Sequence, residues 1–282
     1  MLMHKNKLID HVKKIFIVKH KEDTSLLEKA LHIEGFKTFI VKTDYTNIEM
    51  EYSNQSRCLL NHSKAWNLCT KQKGISMIVE ADFVPVVGMG QLPMPFDPEE
   101  KDISFAWLYS ASGSLWTVTE DNYAIGFSST NVAILLSAKV AEVMVEFAEN
   151  EFVKHDPRDY FPWDTYHWSY LVKHKINPYI PYRCYGEHGG LPNMEHKHAG
   201  LNSSHHADTL WNKIHFLPMY AKGSNTLFQL IRIKSKIRGI ARFFLGKYLK
   251  FTDINMRKKV HKENFPIIKM FLFSLKRLIT IY

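Results

Sequence analysis

"ISMIVEADFVPVVG", residues 75–88, decides how this chain is read. Four of its first five residues are apolar, Glu80 and Asp82 then flank Ala81, and apolar residues resume at once. Side chains two apart on a strand share a face, so the two carboxylates can enter one space. Carboxylates that close repel each other unless a cation, a donor-rich ligand or a shared proton intervenes. A binding site at the strand end is the functional reading, and a solvated strand end is the structural one.

The segments before this strand alternate in type. "KKIFIVK" (13–19) is β-branched and compact, "TSLLEKALHIEG" (24–35) has helical apolar spacing between Thr24 as N-cap and Gly35 as stop, and "FKTFIVK" (36–42) alternates as a strand. That β-α-β order implies a parallel sheet covered by helices. "SRCLLNHSKAWNLCTKQKG" (56–74) reads as a second helix, and "ISMIVEAD" follows it as a central strand. Ligands of open α/β sheets sit outside the carboxyl ends of the strands, which is where Glu80 and Asp82 fall.

Further on come a Pro-rich acidic loop (88–102), the strands "ISFAWLYS" and "YAIGFSS", and a helix over 137–152. Beyond residue 153 the composition turns aromatic, Pro-rich and His-rich. "DTYHWSYLVKHK" (164–175) predicts a short helix, "PYIPYRCY" (178–185) an edge-type strand, and the remainder up to Asp208 a loop. A loop that long is more often functional than idle.

A chain of 282 residues with 45% hydrophobic content accommodates one large core with an appendage. Cys58, Cys69 and Cys184 have no metal-type spacing and make no disulfide framework, so a reducing cytosol is the expected home. The first twenty residues lack a signal-peptide h-region, and no stretch approaches the ~20 apolar residues of a spanning helix. The net charge of +9 is unevenly placed: residues 222–282 carry 15 Lys and Arg against Asp253 and Glu263, leaving the first 221 residues at −4. Two parts are therefore expected, a catalytic domain over 1–221 and a basic amphipathic helical tail over 222–282.

Several motifs together resemble the bacterial lipopolysaccharide and capsule glycosyltransferases of the family-25 type. "CLLNHSKAWNLC" is similar to that family's Ser-His-Leu-Lys-Ala helix, "IVEADFVP" to its acidic strand end, "AILLSAKVAEVM" to a later strand and helix, and "FPWD" to a later acidic position. The resemblance spans roughly residues 13–190. Asn61, Ala81 and Ile134 depart from it, standing where Ser, a middle Asp and an aromatic residue are usual. It implies a GT-A-like, Rossmann-related α/β fold with a mixed, mostly parallel sheet flanked by helices. It further implies an inverting hexosyltransferase that takes a UDP-linked donor to a surface polysaccharide or lipid-linked acceptor. Val18, Lys19, His62 and Glu80 would then hold the donor.

The acid pair has a chemical rationale of its own. A nucleoside diphosphate leaves readily only when its developing charge is neutralised, and a hard divalent ion such as Mn²⁺ or Mg²⁺ does this through oxygen ligands. Asp82 would be the metal ligand, and Glu80 would hold the ribose or a metal-bound water. His188 in "EHGGLPN" resembles the His that often completes GT-A metal sites, with His196, His198, His205 and His206 as rivals. Asp164 is the candidate base: its aromatic neighbours Trp163, Tyr166 and Trp168 desolvate it and offer faces for sugar stacking. Its alternative role is to cap the helix that follows.

In the basic tail, Leu230, Ile233, Ile237, Ile240, Phe244 and Tyr248 form one apolar stripe, with Arg232, Lys234, Lys236, Arg238, Arg242 and Lys250 outside it. An anionic membrane surface is the expected partner, placing the protein on the inner face of the cell membrane. A helical pair packed on the domain and a dimer contact are the alternatives. Nucleic acid is not expected, because the aromatics lie on the stripe rather than among the cations. Two other functions stay open: a metal-dependent hydrolase built on the His-rich loop, and a non-catalytic assembly partner at the membrane.

Overall fold

The computed structural model describes residues 6–111, 113–121, 123–191, 205–245 and 267–279. Strand β1 (Val12–Lys19) lies between β2 (Thr38–Lys42) and β3 (Ile75–Glu80) and is parallel to both. The chain reaches β2 through helix α1 (Ser25–Ile33) and β3 through helix α2 (Asn54–Cys69). Both returns turn on glycine, since Gly35 and Gly74 have φ of 90° and 89°, where a side chain would be strained.

Alternation along β1 distributes its apolar residues between two cores. Ile15 and Ile17 join the cluster that holds Leu27 and Leu31 of α1, whereas Phe16 and Val18 join the one that holds Leu59 and Trp66 of α2. β3 does the same with Met77 and Val79 on one side and Ile78 on the other, which explains its nearly continuous apolar sequence. By this parity Glu80 leaves the strand on the α2 side.

Five more strands extend this sheet, in the full order β2-β1-β3-β8-β5-β9-β7-β6. The added members are β5 (Ser104–Trp107), β6 (Ser114–Val118), β7 (Ala124–Phe127), β8 (Ala133–Ser137) and β9 (Asn177–Tyr179). β8 runs antiparallel between β3 and β5, so the eight-stranded sheet is mixed beyond its parallel first three strands. Helix α3 (Ala138–Lys154) follows β8, starts at a Ser137 cap and buries Val140, Met144 and Phe147 against the α2 side. A second, two-stranded sheet pairs β4 (Phe83–Pro85) with β10 (Gly186–His188).

Two sequence expectations need correction. The 178–185 strand is not at an edge, because β9 lies between β5 and β7. Pro178 is tolerated because Ile180 sends its N–H to Ala124 of β7, so the donor missing two residues earlier belongs to the same side, beyond the single Ile125–Tyr179 bridge. The stretch after residue 185 is not all loop either. It contains β10, a strand too short for periodicity to reveal and specified by its antiparallel partner β4.

The basic segment docks on this body through helix α5 (Asn225–Phe244) and helix α6 (Ile267–Ile279). α6 buries Met270, Phe273 and Leu278, and its Arg277 pairs with Asp208 through both guanidinium Nη atoms. Arg277 Nε also donates to the Tyr182 carbonyl at 2.7 Å. No described helix is long and apolar enough to cross a membrane.

Removing one partner of a buried pair strands the other charge. Asp208→Ala should therefore cost about 3–5 kcal/mol of stability, read as a lower denaturant midpoint, while the combined change Asp208→Leu with Arg277→Met should recover most of it. A neutral Asp208→Ala would mean that α6 is not docked in solution.

Candidate functional site

The carboxyl end of β3 brings three segments together. Glu80 closes the strand in register with Val18 of β1, and Lys19 follows with its Nζ 3.5 Å from Thr24 Oγ1. From above, α2 presents Cys58 and His62, four residues apart and hence on one helix face. His62 is buried, with Nε2 3.1 Å from Glu80 Oε1, and Cys58 Sγ lies 4.0 Å from the same oxygen. The ring of His62 is fixed between Trp66 and Trp163, at centroid distances of 5.7 and 5.4 Å.

The third segment is β10. Its antiparallel register sets His188 opposite Phe83, and the Gly189 N–H donates to the Asp82 carbonyl at 2.8 Å. His188 Nε2 then meets Asp82 Oδ2 at 3.1 Å. Only glycines fit after it. A Cβ at residue 189 would come within 2.7 Å of the Asp82 carbonyl oxygen, and one at residue 190 would overlap Asp82 Oδ2 itself.

One ligand atom from each of Glu80, Asp82 and His188 lies within 4.8 Å of the others, and the same holds for Cys58, His62 and Glu80. Of these two groups the first suits a hard divalent ion. It offers two carboxylates and an imidazole, and Asp82 Oδ1 is buried with no hydrogen-bond partner. The second is less suited, because burial first, and then the charges of Glu80, Asp164 and Asp82, push the Cys58 thiol well above its usual range. A thiol that keeps its proton is a poor metal ligand.

Electrostatics within the first group are reciprocal. Burial alone would raise the Asp82 carboxyl, but the charge of His188 and its hydrogen bond outweigh burial and hold it below the usual carboxylate range. Burial would lower His188, yet Asp82, followed by Glu80 and Glu187, raises it to about 9. Asp164 sits in a 3-10 turn, Trp163–Thr165, anchored to α2 by a 3.0 Å bond from Trp163 Nε1 to the Gln55 carbonyl. Burial, then the nearby charge of Glu80, pushes Asp164 up to about 7. Its capping role is excluded, since helix α4 (His167–Lys173) begins after Tyr166, with no side-chain cap. Tyr166 is exposed and stacks on Phe161 with ring centroids 5.7 Å apart.

The rival histidines divide in two. His196 and His198 lie outside the described residues. His206 is held against Tyr220, and burial lowers it to about 4. Among the described residues, neither His205 nor His206 enters a metal-type cluster.

Sequence reading missed a support beneath the site. Glu187 is fully buried next to His188. Its Oε1 accepts from the N–H groups of His188 and Ala207 at 3.0 and 2.7 Å, and its Oε2 accepts from Arg232 Nη1 of α5 at 2.8 Å. Burial raises the Glu187 carboxyl, with Arg232 opposing that rise. The available signal was Arg232 itself, which sits nearer the inward face of its helix than the other cations.

No protein-family model matches the chain, and no curated protein matches it. Among solved structures, one that is similar is a glycosyltransferase involved in the glycosylation of the major capsid of PBCV-1. It is 10% identical with a TM-score of 0.37, over 61% of this chain and 82% of that one. So low a score bears on neither the fold nor the chemistry here.

The carboxyl of Asp164 gives a pH test in metal-free protein. Its folded pKa exceeds its unfolded value, so the folded state binds the extra proton and stability falls as pH rises from 3.8 to about 7. Asp164→Asn should flatten that part of the stability profile. Glu80→Gln should move the Asp164 titration down, as followed by carboxyl NMR, and an unmoved titration would show that Glu80 is not its perturbing charge.

Proposed function

We propose that this chain is a metal-dependent glycosyltransferase with a GT-A-like catalytic body. It moves a hexose from a UDP-linked donor to a surface polysaccharide or lipid-linked glycan, with inversion. The observation that carries this reading is the convergence of Glu80, Asp82 and His188 at the carboxyl end of a central strand, with Asp82 Oδ1 left without a partner. Such a strand end is where an open α/β sheet receives a nucleotide.

Asp82 and His188 would hold Mn²⁺ or Mg²⁺, which when bound neutralises charge on a diphosphate leaving group. Glu80, fixed by His62, is positioned to accept hydrogen bonds from the ribose or from a bound water. Val18 and Lys19 border the donor at the end of β1. Gly189 and Gly190 let the backbone come close to the diphosphate.

Asp164 approaches from the α2 side and is the proposed base. The acceptor oxygen bonds to the anomeric carbon as the bond from that carbon to the diphosphate oxygen breaks, and the hydroxyl proton passes to the Asp164 carboxylate. Raised basicity suits that task, and the exposed ring of Tyr166 offers a face to the sugar. The glycan acceptor puts the work at the cytoplasmic face of a membrane. A division near residue 221 separates this acidic body from the basic segment.

Two substitutions separate binding from turnover. Asp82→Asn should keep the fold by circular dichroism but lose the Mn²⁺-dependent thermal stabilisation by UDP, since only a state that binds is stabilised. Asp164→Asn should keep that stabilisation and lose at least ~10²-fold in turnover, the lower range for a missing base. Mn²⁺-dependent UDP binding that survives in Asp82→Asn would contradict the metal assignment. Stabilisation by UDP with no transfer from any nucleotide sugar would favour a non-catalytic partner.

A further inference from the structure

Helix α5 is inverted relative to an ordinary surface helix. The expected stripe member Tyr248 and the cation Lys250 lie outside the described residues. Its stripe residues Leu230, Ile233, Ile237 and Phe244 are 60%, 56%, 61% and 79% exposed, and Ile240 joins them at 37%. At 100° per residue these five fall within an arc of about 80°. The face that packs on the body is lined by Phe228, Ser235, Gly239 and Phe243. Ser235 and Gly239 are small, which lets the helix lie close to Asp208 and Leu278. Arg232 and Arg242 turn inward, to Glu187 and to the Ala111 carbonyl.

Docking on the body therefore leaves the apolar stripe uncovered. Lys234 and Arg238, both exposed, border it on one side and the half-buried Lys236 on the other. α6 packs beside α5, where its Phe271 meets Phe243 of the docking face at 5.3 Å, and it leaves Phe271, Ile268 and Leu272 exposed at 44%, 76% and 57%. Neither α5 nor α6 contains an acidic residue.

We propose that the outward face of α5, extended by Ile268, Phe271 and Leu272 of α6, is the surface by which this protein lies in the interface of an anionic lipid bilayer. An apolar stripe rimmed by cations matches the layering of that interface, acyl chains beneath anionic headgroups. With no described helix able to span the membrane, the attachment is in-plane. A second copy fits the surface less well. A two-fold contact would set the stripe against itself and bring Lys234, Lys236 and Arg238 of both copies together with no acid to offset them. Each such cation near an anionic leaflet contributes ~1 kcal/mol instead. The assignment shares the membrane location of the proposed function and is independent of its chemistry.

The test uses the full chain and its substitutions in vesicle co-sedimentation. Wild type should bind phosphatidylcholine vesicles containing phosphatidylglycerol and bind phosphatidylcholine alone far less. Ile233→Asp with Ile237→Asp should abolish binding to both. Lys234→Glu with Arg238→Glu should weaken binding to the anionic vesicles by at least about tenfold and remove most of its salt dependence. All these residues are exposed, so thermal unfolding should match wild type, which confirms that each protein is folded.

Wild-type binding that neither pair of substitutions weakens overturns the assignment. So does a wild type that ignores both vesicles, or one that sediments as a dimer which Ile233→Asp with Ile237→Asp dissociates. Mn²⁺-dependent UDP stabilisation is measured in the same samples. Its loss with vesicle binding intact would count against the chemical reading alone, and its retention without vesicle binding against the surface alone.

Discussion

Two carboxylates and a histidine meet where an apolar strand ends, and the rest of the structure follows from keeping them there. Asp82 and His188 come from segments more than a hundred residues apart and meet at 3.1 Å. Each supports the other, because burial disfavours both charges and their mutual attraction is the largest effect opposing it, with Glu80 and Glu187 adding to it at His188. The pairing is also a reason to bind a cation. A metal ion taking the His188 nitrogen, as proposed, would displace its proton, so ion and proton would compete for one place.

The layers around this point have separable tasks. The parallel strands β1 to β3 put Glu80 at a carboxyl end, and α2 sets His62 over it. The short β4–β10 sheet carries His188 back to Asp82, and the two glycines after it leave the space that side chains would fill. Below, buried Glu187 fixes the backbone of His188 and is itself held by Arg232 from α5. The helix proposed to face a bilayer is thus joined, through the Arg232–Glu187 ion pair, to the strand that carries the proposed metal ligand His188.

Much of this was legible in the sequence, for reasons that can be named. The β-α-β start shows in the change of apolar period between residues 13 and 42, and the strand before Glu80 in its unbroken apolar run. Both signals are local. β6 and β10 did not show: β6 is five buried residues with no apolar-polar alternation, paired with its hairpin neighbour β7, and β10 is three residues long and depends on β4, a partner remote in sequence. The stripe of α5 was visible as a period, but a period does not say which face docks. That was decided by Ser235, Gly239 and two inward arginines, and the outcome is opposite to the usual one. Asp164 was visible as an acid among aromatics, whereas its nearness to Glu80 required the 3-10 turn that Trp163 anchors on α2.

His188 and Asp82 are proposed to share a divalent ion at the end of β3. Pulsed electron paramagnetic resonance on Mn²⁺ added with UDP addresses this most directly, because a coordinated imidazole nitrogen couples to the electron spin. The wild-type protein should show such a coupling, His188→Ala should lose it, and His206→Ala should keep it. Bound Mn²⁺ without a nitrogen coupling, or one unchanged in His188→Ala, would contradict the shared site.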